Sequence, residues 1–413
     1  MSEKEPNVSE TPAPEEDGNR VQEAAHPNLL QQMLRSSWLV TLLAIVGALV
    51  ISGILIVAAD EKTRAASSYF FARPYDMLWY AADAIKRSYV ALFQGAVFNY
   101  EAKSFTNMIR PLTETMVWAT PLLFAGLGLG IGFRAGMFNI GAQGQVLMGA
   151  GVAAIIGFKA TLPGALLLIA ALAGSILIGG IWAGIAGYLK AKTGANEVIV
   201  TIMLNWIATW LAAYLLTTQF MREGAAQPIT PPVADNAMLP RLLPEPFRLH
   251  LGFVLALLAA LGVWWLMERS TLGFKFRAVG ANPDAARTAG INVNMVYVWV
   301  LGVAGILAGL GGASVVLGTN RTFVESSAGS IGFDAITVAL LGKSRPLGTV
   351  WAALLFGALR AGAPFMQTMA KTPIDIVLVI QAVIVLFIAA PGLVRTIFVL
   401  PKTGYTPVKE VVA

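Results

Sequence analysis

The chain has 413 residues, 56% of them hydrophobic and only 13% charged, with a mean hydropathy of +0.69. Soluble domains carry roughly twice that charged fraction, and the apolar runs are too long for core helices, so the composition specifies a polytopic membrane protein. The net charge of +6 is expected to reflect Lys and Arg in cytoplasmic loops rather than nucleic-acid binding, and the absence of cysteine together with only His26 and His250 excludes disulfides, thiol nucleophiles and a multi-histidine metal site.

In chain order, residues 1–30 are polar, acidic and without apolar period, which predicts a disordered cytoplasmic tail. The first span is expected at Trp38–Ala59. It is about full span length, and no basic region opens the chain, so it does not read as a cleavable signal peptide. Residues 60–110 form a hydrophilic extracytoplasmic loop, within which Tyr75–Phe98 mixes apolar residues with Asp76, Asp83, Lys86 and Arg87 as an amphipathic surface helix does. Further spans are expected at Leu112–Phe133, Gly141–Phe158, Leu162–Leu189 and Val198–Thr218. A Pro-rich extracytoplasmic loop (219–248) precedes a span at Leu249–Met267, a polar cytoplasmic loop (268–294) and a span at Met295–Gly318. Gly332–Leu341 and Leu347–Ala363 are short, and read as two short spans or a re-entrant pair. Ile374–Ala390 is the last span, before a cytoplasmic tail at 401–413. The predicted fold is an all-α integral membrane protein, a polytopic helical bundle of about ten spans within a transmembrane domain over 38–400. An even count places both termini on one side with Arg134, Lys190, Arg277, Lys343 and Arg395, as the positive-inside rule requires.

Within the Val198–Thr218 span and just before it, Glu197, Thr201, Asn205 and Thr209 recur every fourth residue and line one side of a helix. A carboxylate and a carboxamide are costly against lipid, so the stripe points to a translocation route or a polar helix contact. The run Phe133–Gln145 is rich in glycine and amide, with Asn139, Gln143 and Gln145 just before or at the start of a span. Irregular backbone at such a place is tolerable only buried in protein or lining a cavity. Gly126/Gly130, Gly128/Gly132 and the series Gly302, Gly305, Gly309 and Gly312 allow close helix approach and read as packing seams. Asp334 and Arg360 lie in or beside apolar runs and are polar contacts of the bundle with unnamed partners. Gly342-Lys343-Ser344 resembles the end of a phosphate loop, but Thr337 stands where the earlier glycine is required, so ATP binding by this chain is rejected.

The 268–294 loop holds a short helix with readable ends. Asn282 is a good N-cap, Pro283 suits the first helical position, Asp284 favours the positive dipole end, Arg287 lies toward the far end and Gly290 can take the left-handed cap. It is either an ordinary capped connection or a knob on which a soluble motor subunit pushes.

Four segments resemble the signature of ABC importer permeases for simple sugars and nucleosides: Phe133–Gln145, Ala195–Asn205, Phe276–Ile291, and Gly332–Gly342 followed by Pro346-Leu-Gly348. The similarity covers roughly Leu112 to Leu400, and the first two segments are closer to the nucleoside branch. Gln143 stands where many members carry Glu. The resemblance implies a permease subunit that forms half of a translocation pathway by alternating access, not an enzyme. Asn139, Gln143, Gln145, Glu197, Thr201, Asn205 and Asp334 would line or brace the pathway. Gly280, Asn282, Pro283, Asp284, Ala285, Ala286, Arg287 and Gly290 would couple it to an ATPase. The implied partners are a cassette ATPase subunit that uses ATP and Mg, a second and related permease chain, an extracytoplasmic substrate-binding protein and membrane lipid. No cofactor is expected on this chain, and its place is the inner membrane, multi-pass, with both termini cytoplasmic. A second hypothesis is an ion-coupled secondary transporter of a small polar solute, with Glu197 or Asp334 as the ion site.

Overall fold

A computed structural model describes residues 37–398, so the expected tails at 1–30 and 401–413 lie outside the described residues. Among the described residues the architecture is helical, with one isolated antiparallel bridge between Arg241 and His250 and no strand. The helices in chain order are α1 Ser37–Ala59, α2 Glu61–Ser67, α3 Pro74–Ala96, α4 Phe105–Arg134, α5 Ala142–Lys159, α6 Ala165–Thr193, α7 Glu197–Thr218, α8 Gly252–Arg269, α9 Thr271–Ala281, α10 Pro283–Thr288, α11 Val293–Val315, α12 Ile331–Leu341, α13 Pro346–Ala370, α14 Asp375–Ala389 and α15 Pro391–Ile397. A π-helical turn, Val316–Asn320, extends α11.

Each of the ten expected segments is a helix. Seven of the described helices are long and apolar enough to cross a membrane: α1 from Thr41, α4, α6, α7, α8, α11 with its π turn, and α13. The other three are α5, polar at its start through Gln143 and Gln145, the 11-residue α12 and the 15-residue α14. The expected short pair is corrected here. Only α12 is short, whereas α13 runs 25 residues, through Pro364, to Ala370. The 268–294 loop also carries more structure than its polarity suggests, since α9 precedes the short capped helix.

The α3 helix, in the hydrophilic 60–110 region, packs one face on the bundle. A Cβ on Gly95 would meet Phe365 Cβ of α13 at 2.4 Å, Ser88 and Thr372 share a hydroxyl hydrogen bond of 2.7 Å, and Tyr89 donates to the Leu49 carbonyl of α1.

Helix α11 is the axis of the fold. Its glycine seam sets it almost backbone-to-backbone against its neighbours. A Cβ on Gly305 would lie 2.1 Å from Gly179 O of α6, one on Gly309 2.2 Å from Ser175 O, and one on Gly312 2.0 Å from Val146 O of α5. On the α4 side a Cβ on Gly128 would meet Ala304 O at 2.6 Å. Lipid tails offer no hydrophobic drive for helix association, so dispersion contact at this range, open only to glycine, holds the helices together. Val300, Leu301, Ala304 and Ala308 complete the buried seam.

Candidate functional site

The end of α4 begins the site. Gly136 takes a left-handed conformation (φ 71°), and the Met137 N–H reaches back to Gly132 O at 2.9 Å, which closes the helix. Residues Met137–Gly141 are irregular before α5 starts at Ala142. The α7 stripe supplies the hydrogen bonds that this backbone lacks. Glu197 accepts from the Phe138 N–H at 3.5 Å, and the Thr201 hydroxyl accepts from the Ile140 N–H at 3.3 Å. Asn205 accepts from the Gly144 N–H at 2.8 Å and donates to the Ile140 carbonyl at 2.9 Å. Helix α5 has no local side-chain cap, so Asn205, reaching across from another helix, caps it. Asn139 holds the turn from within: its Oδ1 accepts from the Gly141 N–H at 2.9 Å, and its amide pairs with Gln145 at 3.1 and 3.2 Å. Asn139, Gln145, Thr201 and Asn205 are all buried. Glu197 is also paired, its Oε2 lying 2.5 Å from Lys190 Nζ. Of the two readings of the stripe, this geometry is the polar helix contact.

Gln143 does for α12 what Asn205 does for α5. Its Nε2 donates to Gly329 O at 2.6 Å, and its Oε1 accepts from the Gly332 N–H at 2.9 Å. Helix α12 also lacks a local side-chain cap, and a Cβ on Gly332 would sit 2.2 Å from the Gln143 N. The starts of α5 and α12 therefore meet inside the bundle. Asp334, one turn into α12, pairs with Arg360 of α13, and both contact the Ser330 hydroxyl. The two intramembrane charges found separately in the sequence are each other's partner.

Beside this junction lies a cavity of about 230 Å³ between α4, the π turn, the Glu325–Ala328 turn and α13. Trp118, Arg248, Asn320, Ser326, Ser327 and Arg360 line it. Arg360 lies with its guanidinium carbon 5.8 Å from the centre of the Trp118 ring. Arg248 grips Glu114 with both ends of its fork, Nε to Oε1 at 3.0 Å, which raises its pKa. His250, also on the wall, accepts the Gly252 N–H at 3.1 Å through Nδ1, and burial lowers its pKa to about 4. Among the expected pathway residues, Gln143 and Asp334 reach this cavity through Gly329 and Arg360. The other five brace the turn. Sequence reasoning named Arg360 only as a polar contact and did not find Trp118, Asn320, Ser326 or Ser327, because a lone tryptophan within a span and short polar residues just beyond one carry no periodic signal.

At the other end of the bundle sits α10. Asn282 accepts from the Asp284 and Ala285 N–H groups at 3.0 Å, Pro283 opens the helix, and Gly290 closes it at φ 81°. Asp284 pairs with Arg287 at 3.1 Å. Ala286 is buried, whereas Arg287 and Asp284 are exposed. Immediately before it, Gly280 packs against the end of α4, where a Cβ would lie 2.3 Å from Arg134 O and where Gly136 is in close contact. Glu268 pairs with Arg134 at 2.7 Å and with Arg277 at 3.7 Å, which ties α8 and α9 to the same corner. No group of three or more acidic, His or Cys side chains suited to a metal exists among the described residues.

A family model described as the permease component of branched-chain amino acid transport systems matches residues 112–389. The chain belongs to this permease family. It is 38% identical over 294 residues to the guanosine ABC transporter permease protein NupP of Bacillus subtilis, covering 70% of this chain and 83% of that protein. It is 35% identical over 304 residues to the nucleoside ABC transporter permease protein NupB of Lactococcus lactis, covering 71% and 82%. It is 34% identical over 286 residues to the glucose ABC transporter permease protein TsgB13 of Haloferax volcanii, covering 67% and 75%. The chain is thus a multi-pass membrane permease subunit of the ABC importer type, a transport component rather than an enzyme. Its sequence motifs fall in the sugar and nucleoside group of these permeases, nearest the nucleoside branch.

Proposed function

We propose that this permease subunit imports a nucleoside, in an assembly where α10 receives the stroke of a cassette ATPase. The observation that carries the reading is the seat of α9 and α10. A short, doubly capped helix presents Asp284 and Arg287 to solvent while Gly280 packs on the turn that leads into α5. A rigid knob joined without slack to an intramembrane helix start suits a part that is pushed. ATP and Mg belong to the ATPase. A second, related permease supplies the other half of the pathway, and an extracytoplasmic binding protein delivers the solute. The chain sits in the inner membrane with both termini, and therefore α10, on the cytoplasmic side. The basic residues Arg269, Lys275, Arg277 and Arg287 around α9 and α10 support this orientation. The nucleoside assignment is supported by the names of the two nucleoside-type relatives, and glucose is the competing solute through the third.

The ion-coupled reading draws no support from the geometry. Its ion site requires a carboxylate free to exchange a proton or sodium, and Glu197 and Asp334 are each held by a cation. The test is to tag the chain, identify what co-purifies with it in mild detergent from its own membranes, and measure transport in sealed vesicles of those membranes. The expected result is a stoichiometric cassette ATPase, and ATP-dependent guanosine uptake that survives collapse of the ion gradient. Uptake that stops with the gradient while ATP remains would overturn the proposal.

A further inference from the structure

We propose that the cavity between α4, the π turn of α11 and α13 is where this subunit holds its solute, and that it selects an uncharged, hydroxyl-rich solute bearing an aromatic ring. This deepens the nucleoside reading above and rests on it. The argument runs from the walls. Both arginines on the wall already have a carboxylate partner, Arg360 in Asp334 and Arg248 in Glu114, which Arg110 also approaches at 3.9 Å, so neither is left unpaired for an anion. What remains is neutral hydrogen bonding. Asn320 and Ser326 are exposed at the cavity, and Ser327 accepts the Val324 N–H at 2.8 Å and keeps its own proton to donate. Trp118 adds an aromatic surface at the same wall, 38% exposed.

Size and depth agree. The volume of about 230 Å³ lies below the range of about 300–1,000 Å³ typical of drug-sized ligands, which suits a small solute. Trp118 is sixteen residues from the Arg134 end of α4, or roughly 24 Å along the helix. The cavity therefore lies well inside the bundle, away from α10. Its floor is made by the junction of α5 and α12, since Gly329, which lines it, is held by Gln143.

The chain has no cysteine, so Ser326→Cys introduces a single thiol at the wall. In inverted and right-side-out vesicles carrying the whole assembly, a small methanethiosulfonate reagent should modify it. Guanosine should slow that reaction several-fold, glucose less, and guanosine monophosphate not at all. A thiol placed by Ser68→Cys, at the exposed residue that follows α2, should be indifferent to all three. In parallel, Trp118→Leu should lower guanosine uptake about tenfold, as loss of one base–aromatic stack does, while Trp118→Phe retains most of it and both variants reach the membrane in wild-type amount. Equal labelling of Ser326→Cys with and without guanosine, in an assembly that still imports guanosine, overturns the cavity as the solute site and leaves the permease reading standing. Wild-type vesicles that import glucose but not guanosine overturn the solute class itself.

Discussion

Asn205 performs within a membrane bundle the task that a serine performs at the start of a water-exposed helix. The first N–H groups of any helix lack partners, and in lipid no water stands in for them. The carboxamide of Asn205 satisfies one such N–H, of Gly144, and also the Ile140 carbonyl. Asn205→Ala leaves both groups buried and unpaired, so it should lower the stability of the detergent-extracted assembly by about 2–4 kcal/mol. Thermal unfolding followed by loss of monodisperse protein checks this, and an unchanged midpoint refutes the bracing role. Period-four spacing made the stripe legible, but not its partner, because the turn it holds lies some sixty residues upstream in the chain. His250 gives a second prediction. Its folded pKa of about 4 lies below the ordinary value of 6.5. Between those values the unfolded chain takes up a proton that the folded protein refuses. Stability is therefore fully present above pH 6.5 and falls as pH drops toward 4. His250→Asn keeps an acceptor for the Gly252 N–H and removes the titration. It should flatten the loss of thermal stability between pH 6.5 and 4, and a curve as steep as wild type would show that another group sets it.

At the scale of elements, glycine position separates seams from surfaces. A Cβ on Gly305 would sit 2.1 Å from Gly179 O and 2.5 Å from Ala183 Cβ, whereas one on Gly184, on the same α6 helix as Gly179, meets nothing within 4 Å. Gly305→Ala forces α6 and α11 apart and should cost about 1–3 kcal/mol. Gly184→Ala should be neutral or stabilising by up to about 1 kcal/mol. Parallel melts of the two variants check the contrast, and equal effects would remove the seam as the organising contact. The series of glycines in α11 was readable because three- and four-residue steps declare one face. Helix α9 was not, since Thr271–Ala281 is polar enough to read as loop. The full length of α13 was missed because Pro364 interrupts its apolar run just after Ala363, and the structure carries the helix through it to Ala370.

For the whole molecule, the contacts form one continuous line. Gly280, next to α10, abuts the end of α4 at Arg134–Gly136. That end leads into the turn braced by α7, then into α5, and Gln143 at the start of α5 holds Gly329 on the cavity floor. Contiguity alone does not establish coupling, so the line has to be cut at a place that leaves both ends intact. Gly280 is that place, because a Cβ there would lie only 2.3 Å from Arg134 O, so only glycine lets α9 sit this close to the end of α4. Gly280→Ala should leave the ATPase docked and hydrolysing while solute moved per ATP falls about five- to 150-fold, the range of a coupling energy of about 1–3 kcal/mol. Gly224→Ala is the matched control. It strains a left-handed residue in the loop after α7, φ 72°, where nothing lies within 4 Å, at a cost of about 1–2 kcal/mol, yet it does not touch the line and should keep the wild-type ratio. Hydrolysis and uptake are measured in the same vesicles. If both variants keep the wild-type ratio, the stroke reaches the cavity by another route. If Gly224→Ala loses it as fully as Gly280→Ala, backbone strain in general rather than the seat of α9 on α4 explains the loss.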